Sequence, residues 1–90
     1  MDSRIDIKQA LRVYNKVITR GTKHTGDLGH DYTLAGLTAW SDADGYTLML
    51  EDKDAKLTVY FHNKYNVDFH NNFALDQFLE HMDKIDKTDF

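Results

Sequence analysis

The residues from Thr47 to Tyr65, TLMLEDKDAKLTVYFHNKY, constrain the fold of this chain more than any other stretch. In Thr47 to Glu51 and in Lys56 to His62 the side chains alternate. Leu48, Leu50, Leu57, Val59 and Phe61 share one parity, and Thr47, Met49, Thr58, Tyr60 and His62 share the other. Successive side chains of a strand point to opposite faces, so a period of two specifies two strands with one buried face and one mixed face. With Asp52 to Ala55 as the connection, Glu51 pairs with Lys56, Leu50 with Leu57, Met49 with Thr58, Leu48 with Val59 and Thr47 with Tyr60. A slip of one residue would set leucines against threonines, so this register is the self-consistent one.

Tyr32 to Trp40 reads as a further strand, with Leu37 and Ala39 on one parity and Gly36, Thr38 and Trp40 on the other. Asp42-Ala43-Asp44-Gly45 supplies the turn chemistry of a hairpin. Closing that turn sets Ala39 against Leu48 and Leu37 against Leu50, and puts Trp40 beside Thr47 and Tyr60. Residues 21–31, GTKHTGDLGHD, carry three glycines and no periodicity, which predicts a flexible loop.

Helices are expected at both ends. Ile7, Ala10, Leu11, Tyr14, Val17 and Ile18 recur at helical spacing, with Asp6 (or Ser3) as cap and Gly21 as stop. Ala74, Leu75, Phe78, Leu79, Met82 and Ile85 form a second stripe after an N-cap at Asn71 or Asn72. Between strand and helix, residues 66–70 read as a short extended or irregular connection with Val67 and Phe69 on one side, and residues 86–90 as a frayed end. The expected fold is α+β and a single domain over 1–90: helix, three-stranded antiparallel meander, helix, with both helices on one face of the sheet.

Ninety residues, 41% hydrophobic and 29% charged, suit one modest core. The absence of cysteine removes disulfides and thiolate metal sites. A start of Met-Asp-Ser-Arg, with no long apolar run, leads us to expect neither a signal peptide nor a membrane span, and a cytoplasmic location. Charge is unevenly distributed: residues 1–23 hold six lysines and arginines against two aspartates, and the remainder five lysines against thirteen acids. Arg4, Lys8, Arg12, Lys16 and Arg20, four apart, form a spiral basic ridge that could hold an anionic partner or meet the acidic remainder.

Chemistry-bearing residues are sparse. Asp42, Asp44, Gly45 and Glu51 match positions of a calcium loop, but Trp40 occupies the first ligand position and the flanks are strands. The five histidines, His24 and His30 in the glycine-rich segment among them, show no familiar zinc spacing. No metal or other cofactor is expected. His62, Asn63, Lys64 and Tyr65 are the densest polar set, able to transfer protons, donate and accept hydrogen bonds and hold an anion. A turn at Asn63 and Lys64 with Phe61 and Tyr65 packed accounts for the same residues structurally. A hydrolase would need a positioned nucleophile, and the only serines, Ser3 and Ser41, fall in caps or turns.

The combination DGYTLML, LTVYFHNKY and ALDQFLEHMDKID, with a helix ahead of it, resembles a family of short bacterial proteins classed as a domain of unknown function. The likeness runs from about Ile5 to Ile85. It implies a bacterial cytoplasmic origin, and no activity or cofactor. The expected element order also resembles that of the double-stranded-RNA-binding domain, but Asn71 to Asp76 carries none of the lysines that domain uses on phosphates.

The function expected from these features is a small non-enzymatic protein-interaction module, a homo-oligomer or a binder of another protein. Trp40, Met49, Tyr60 and His62 on the uncovered sheet face are the interaction residues. Nucleic-acid or polyanion binding through the basic helix is one alternative. A small-ligand or catalytic site at His62 to Tyr65 is the other.

Overall fold

A computed structural model of the chain describes residues 5–26, 29–42, 47–60 and 64–88. The elements run α1 (Ile7–Arg20), β1 (Thr22–Gly26), β2 (Gly29–Leu34), β3 (Leu37–Ser41), β4 (Leu48–Glu51), β5 (Ala55–Tyr60), β6 (Lys64–Phe69) and α2 (Asn72–Lys87). All six strands form one antiparallel sheet in sequence order.

The expected three-stranded meander is therefore corrected to a six-stranded one. The glycine-rich segment expected to be a loop is β1 and the start of β2, paired from Thr22 opposite Thr33 to Gly26 opposite Gly29. An edge strand is held through its backbone ladder and buries little, so β1 needs no apolar alternation and shows none. The run expected as one strand from Tyr32 is cut by a turn at Ala35 and Gly36, with φ of 52° and 88°. Two consecutive positive φ values are what a two-residue hairpin requires to match strand twist. Residues 66–69 of the connection expected at 66–70 belong to β6, an edge strand that pairs with β5 along its whole length.

The β4–β5 register is as the alternation dictates: Leu48 opposite Val59, Met49 opposite Thr58, Leu50 opposite Leu57, Glu51 opposite Lys56. The β3–β4 register differs by two residues from expectation. Ala39 faces Leu50, Trp40 faces Met49 and Ser41 faces Leu48. The hairpin is closed by Asp42, whose N–H donates to the Thr47 carbonyl (3.1 Å) and whose carboxylate accepts from the Thr47 N–H (3.3 Å). A two-residue shift keeps every side chain on its face, which is why alternation alone does not detect it.

In α1 the Asp6 carboxylate accepts from the N–H groups of Lys8 (3.0 Å) and Gln9 (3.3 Å), capping the first turn. Its buried row is Ala10, Val13 and Val17. Leu11 and Ile18, expected in that row, are 40% and 36% exposed, and Val13 lies inside instead. Asn71 caps α2, accepting from the Ala74 N–H at 2.8 Å, and the helix buries Ala74, Leu75, Phe78, Met82 and Ile85. Both helices contribute to a single core with Leu37, Ala39, Leu50, Ala55, Leu57 and Val59, so they cover the same face.

Gly21 ends α1 in extended backbone, so its role is space and not φ. A β-carbon there would sit 2.4 Å from the Val17 carbonyl oxygen and 2.7 Å from that of Thr33. The Val17 oxygen cannot move without losing the bond it accepts from the Gly21 N–H (2.8 Å), and the Thr33 oxygen cannot move without parting α1 from β2. Replacing Gly21 by alanine is expected to destabilise the fold by about 1–3 kcal/mol in urea unfolding; an unchanged midpoint would contradict this packing.

Candidate interaction surface

Antiparallel partners lie on the same face, so the registers arrange the uncovered face into rows across the whole sheet. One row reads Thr22, Thr33, Thr38, Glu51, Lys56 and Asp68. The next reads His24, Asp31, Trp40, Met49, Thr58 and Asn66. Tyr60 and Lys64 face each other beyond them.

Trp40 organises this face. Its indole Nε1 donates to Glu51 Oε1 at 3.0 Å, and Lys56 Nζ lies 5.1 Å from the ring centroid. Glu51 and Lys56 are cross-strand partners, so a carboxylate and an ammonium fix the ring at its edge and face. Met49 and Thr58, next to Trp40 in its row, are only 7% and 9% exposed although no helix covers them. The expectation that Trp40 and Met49 lie open together is corrected: Trp40 is half-buried, Met49 is buried, and Tyr60 at 44% is the exposed aromatic. His62 lies outside the described residues.

The polar set expected at His62 to Tyr65 is not brought together among its described members. Lys64 stands on the uncovered face opposite Tyr60, and Tyr65 on the helix face opposite Val59. Asn63, like His62, lies outside the described residues.

The basic ridge of α1 is partly committed inside the chain. Arg12 grips Asp86 with two parallel bonds, Nε to Oδ1 at 2.9 Å and Nη2 to Oδ2 at 3.0 Å. Lys16 Nζ donates to the carbonyls of Ile85 (3.2 Å), Asp86 (2.6 Å) and Thr88 (3.0 Å) at the end of α2, where the Ile85 carbonyl also accepts the Thr88 N–H. Gln9 Nε2 meets Asp83 Oδ1 at 3.3 Å. The offset between partners is nearly constant, so the helices run in the same direction. Residues 86–88, expected frayed, are held by this clamp. Lys8 and Arg20 are exposed, and Arg4 lies outside the described residues.

A further pair had no signal in the sequence, because its members are 29 positions apart. Asp52, its side chain 5% exposed, holds the β4–β5 turn by accepting from the N–H groups of Asp54 (2.9 Å) and Ala55 (2.8 Å), and faces His81 Nδ1 at 3.2 Å. His81 Nε2 lies 3.8 Å from where a Gly36 β-carbon would be, so α2 reaches both turns at this end of the sheet. Beside it is an open depression of about 460 Å³ whose walls include Lys53, Asp54, Asp68, Phe69 and His70. Among the described residues no group of three or more His, Cys, Asp or Glu could hold a metal ion. No described helix is long and apolar enough to cross a membrane.

The Arg12 bond holds the Asp86 carboxyl below its ordinary pKa and raises that of the guanidinium. Stability from Asp86 is thus complete above the ordinary aspartate value of about 3.9 and is lost as pH falls through the lowered folded value. Thermal melts should show wild type losing more stability than Asp86→Asn between neutral pH and about pH 3. Parallel pH profiles would contradict the clamp.

No curated protein and no solved structure matched the chain. A family model described as "Protein of unknown function (DUF3081)" matches residues 5–89. That span includes every described residue, and the resemblance read from the three sequence segments is to such a family. No activity, ligand or partner comes with it. The chain belongs to the DUF3081 family of proteins of unknown function.

Proposed function

We propose that the chain is a small, non-enzymatic, bacterial cytoplasmic interaction module that works as a homo-oligomer and presents its uncovered sheet face to protein. The observation that carries this is the build of that face. Both helices cover the other side, and this side carries two rows of six side chains in which Met49 and Thr58 are buried and an indole is fixed between Glu51 and Lys56. A rigid aromatic ringed by both charge signs and a nearby exposed Tyr60 has the composition of a protein-contact surface. The mixture of Asp31, Glu51 and Asp68 with Lys56 and Lys64 favours protein over a polyanion, and Arg12 and Lys16 are occupied within the chain.

Sedimentation equilibrium across the micromolar range tests the oligomer directly. We expect the mass to rise toward a dimer or larger species with concentration. A chain that stays monomeric at high micromolar concentration would contradict self-association.

A further inference from the structure

Hydrogen-bond direction alternates along an edge strand, and in β6 it can be assigned. The His70 N–H donates to the Asp54 carbonyl at 3.1 Å, continuing the register in which Asp68 faces Lys56, Asn66 faces Thr58 and Lys64 faces Tyr60. In an antiparallel pair the residues that exchange backbone bonds are every second one. The even-numbered residues of β6 therefore bond inward to β5. The backbone groups of Tyr65, Val67 and Phe69 are directed away from β5, and among the described residues β6 is a terminal strand of the sheet.

This edge carries charges at Lys64 and Asp68 but no break in its backbone that would keep it from pairing. It has no proline, it keeps its register with β5 without interruption, and it ends among exposed apolar side chains: Phe69 is 39% and Phe73, in the first turn of α2, 70% exposed. Its charges are arranged self-complementarily. Lys64, Asn66 and Asp68 occupy successive positions on the uncovered face, with Asn66 midway between a cation and an anion.

We propose that β6 is the self-association edge of the protein: two copies pair their β6 strands antiparallel about a two-fold axis at Asn66, with Lys64 of each copy opposite Asp68 of the other. This rests on the reading of the chain as self-associating and names the surface responsible. Three constraints converge on the register. A two-fold antiparallel pair must be centred on a residue or between two residues. Outward backbone groups must meet outward groups, which excludes registers that oppose odd to even positions. Among those left, centring on Asn66 places both ion pairs, while centring on Val67 would set Lys64 against His70 and centring on Tyr65 would set it against Asn66. In the Asn66 register Tyr65 and Val67 are the bonded partners, and Lys64 and Asp68 fall in the pairs where side chains approach most closely. β1, the other edge, offers no such pairing, since Lys23 would meet Thr25 or itself. The pairing would join two six-stranded sheets, and their uncovered faces, into one surface.

The test is a charge exchange read by sedimentation. Lys64→Glu sets a glutamate against Asp68 twice per dimer, and Asp68→Lys sets a second lysine against Lys64 twice. Each is expected to weaken self-association about tenfold or more. Mixing the two variants restores both ion pairs in a heterodimer, one between the native residues and one between the introduced ones, so the mixture should associate where neither component does. Asp68 also stands opposite Lys56 within the chain, so its variant is checked for folding by far-UV circular dichroism; Lys64 faces only Tyr60. Val67→Pro is the backbone counterpart. It removes an outward N–H, leaves the ladder to β5 intact, and is expected to give a folded monomer. Variants that self-associate like wild type, or a mixture no stronger than its components, would overturn the β6 interface while leaving self-association standing. A monomeric wild type would overturn both.

Discussion

The structure depends on keeping one set of side chains toward the helices through five successive hairpins. Because strands alternate with a period of two, the number of residues in each connection decides whether the inward parity changes. Two residues separate Gly26 from Gly29 and Leu34 from Leu37, and four separate Asp42 from Thr47, so parity reverses at each. It reverses again where Asp52 closes on Ala55. Three residues separate Tyr60 from Lys64, and there it is kept: Val59 and Tyr65 are both odd-numbered and both face the helices. Leu34, Leu37, Leu50, Leu57 and Val67 reach the same side only because every connection has the right length.

The two faces are then stabilised by different means. The inner one is closed by two parallel helices that are locked to each other at the C-terminal end of α2, where Arg12 and Lys16 satisfy a carboxylate and three terminal carbonyls. The outer face has no helix and makes a smaller cluster of its own. Trp40, tethered to Glu51 and approached by Lys56, stands beside Met49 and Thr58, which are buried without a second layer. The basic first segment and acidic remainder, visible as a charge imbalance, are used in part to bind one helix to the other.

What could be read from the sequence is what side-chain periodicity encodes. The β4–β5 register, both helices and the Asp6 and Asn71 caps follow from local pattern and backbone chemistry. β1 could not be read, because an edge strand of Thr, Lys, His and Gly is specified by its neighbour's backbone and not by a buried face. The Ala35–Gly36 turn did leave a trace: Tyr32 and Leu34 are even-numbered while Leu37 and Ala39 are odd, which a continuous strand would place on opposite faces. The β3–β4 register was invisible because a two-residue shift preserves alternation. On the uncovered face, the placement of Trp40, Met49 and Tyr60 was legible from alternation, while the burial of Met49 was not, since the Trp40–Glu51 bond that accompanies it joins neighbouring rows.

If β6 is an edge whose alternate backbone groups face outward, its amides should not behave alike. Residue-resolved hydrogen exchange on dilute, monomeric protein tests this directly. Asn66 and Asp68, bonded to β5, should exchange slowly, while Val67 and Phe69 exchange quickly and become protected only as concentration rises. Equal protection of Val67 and Asn66 in the monomer, or fast exchange of Asn66 and Asp68, would contradict the sheet and edge described.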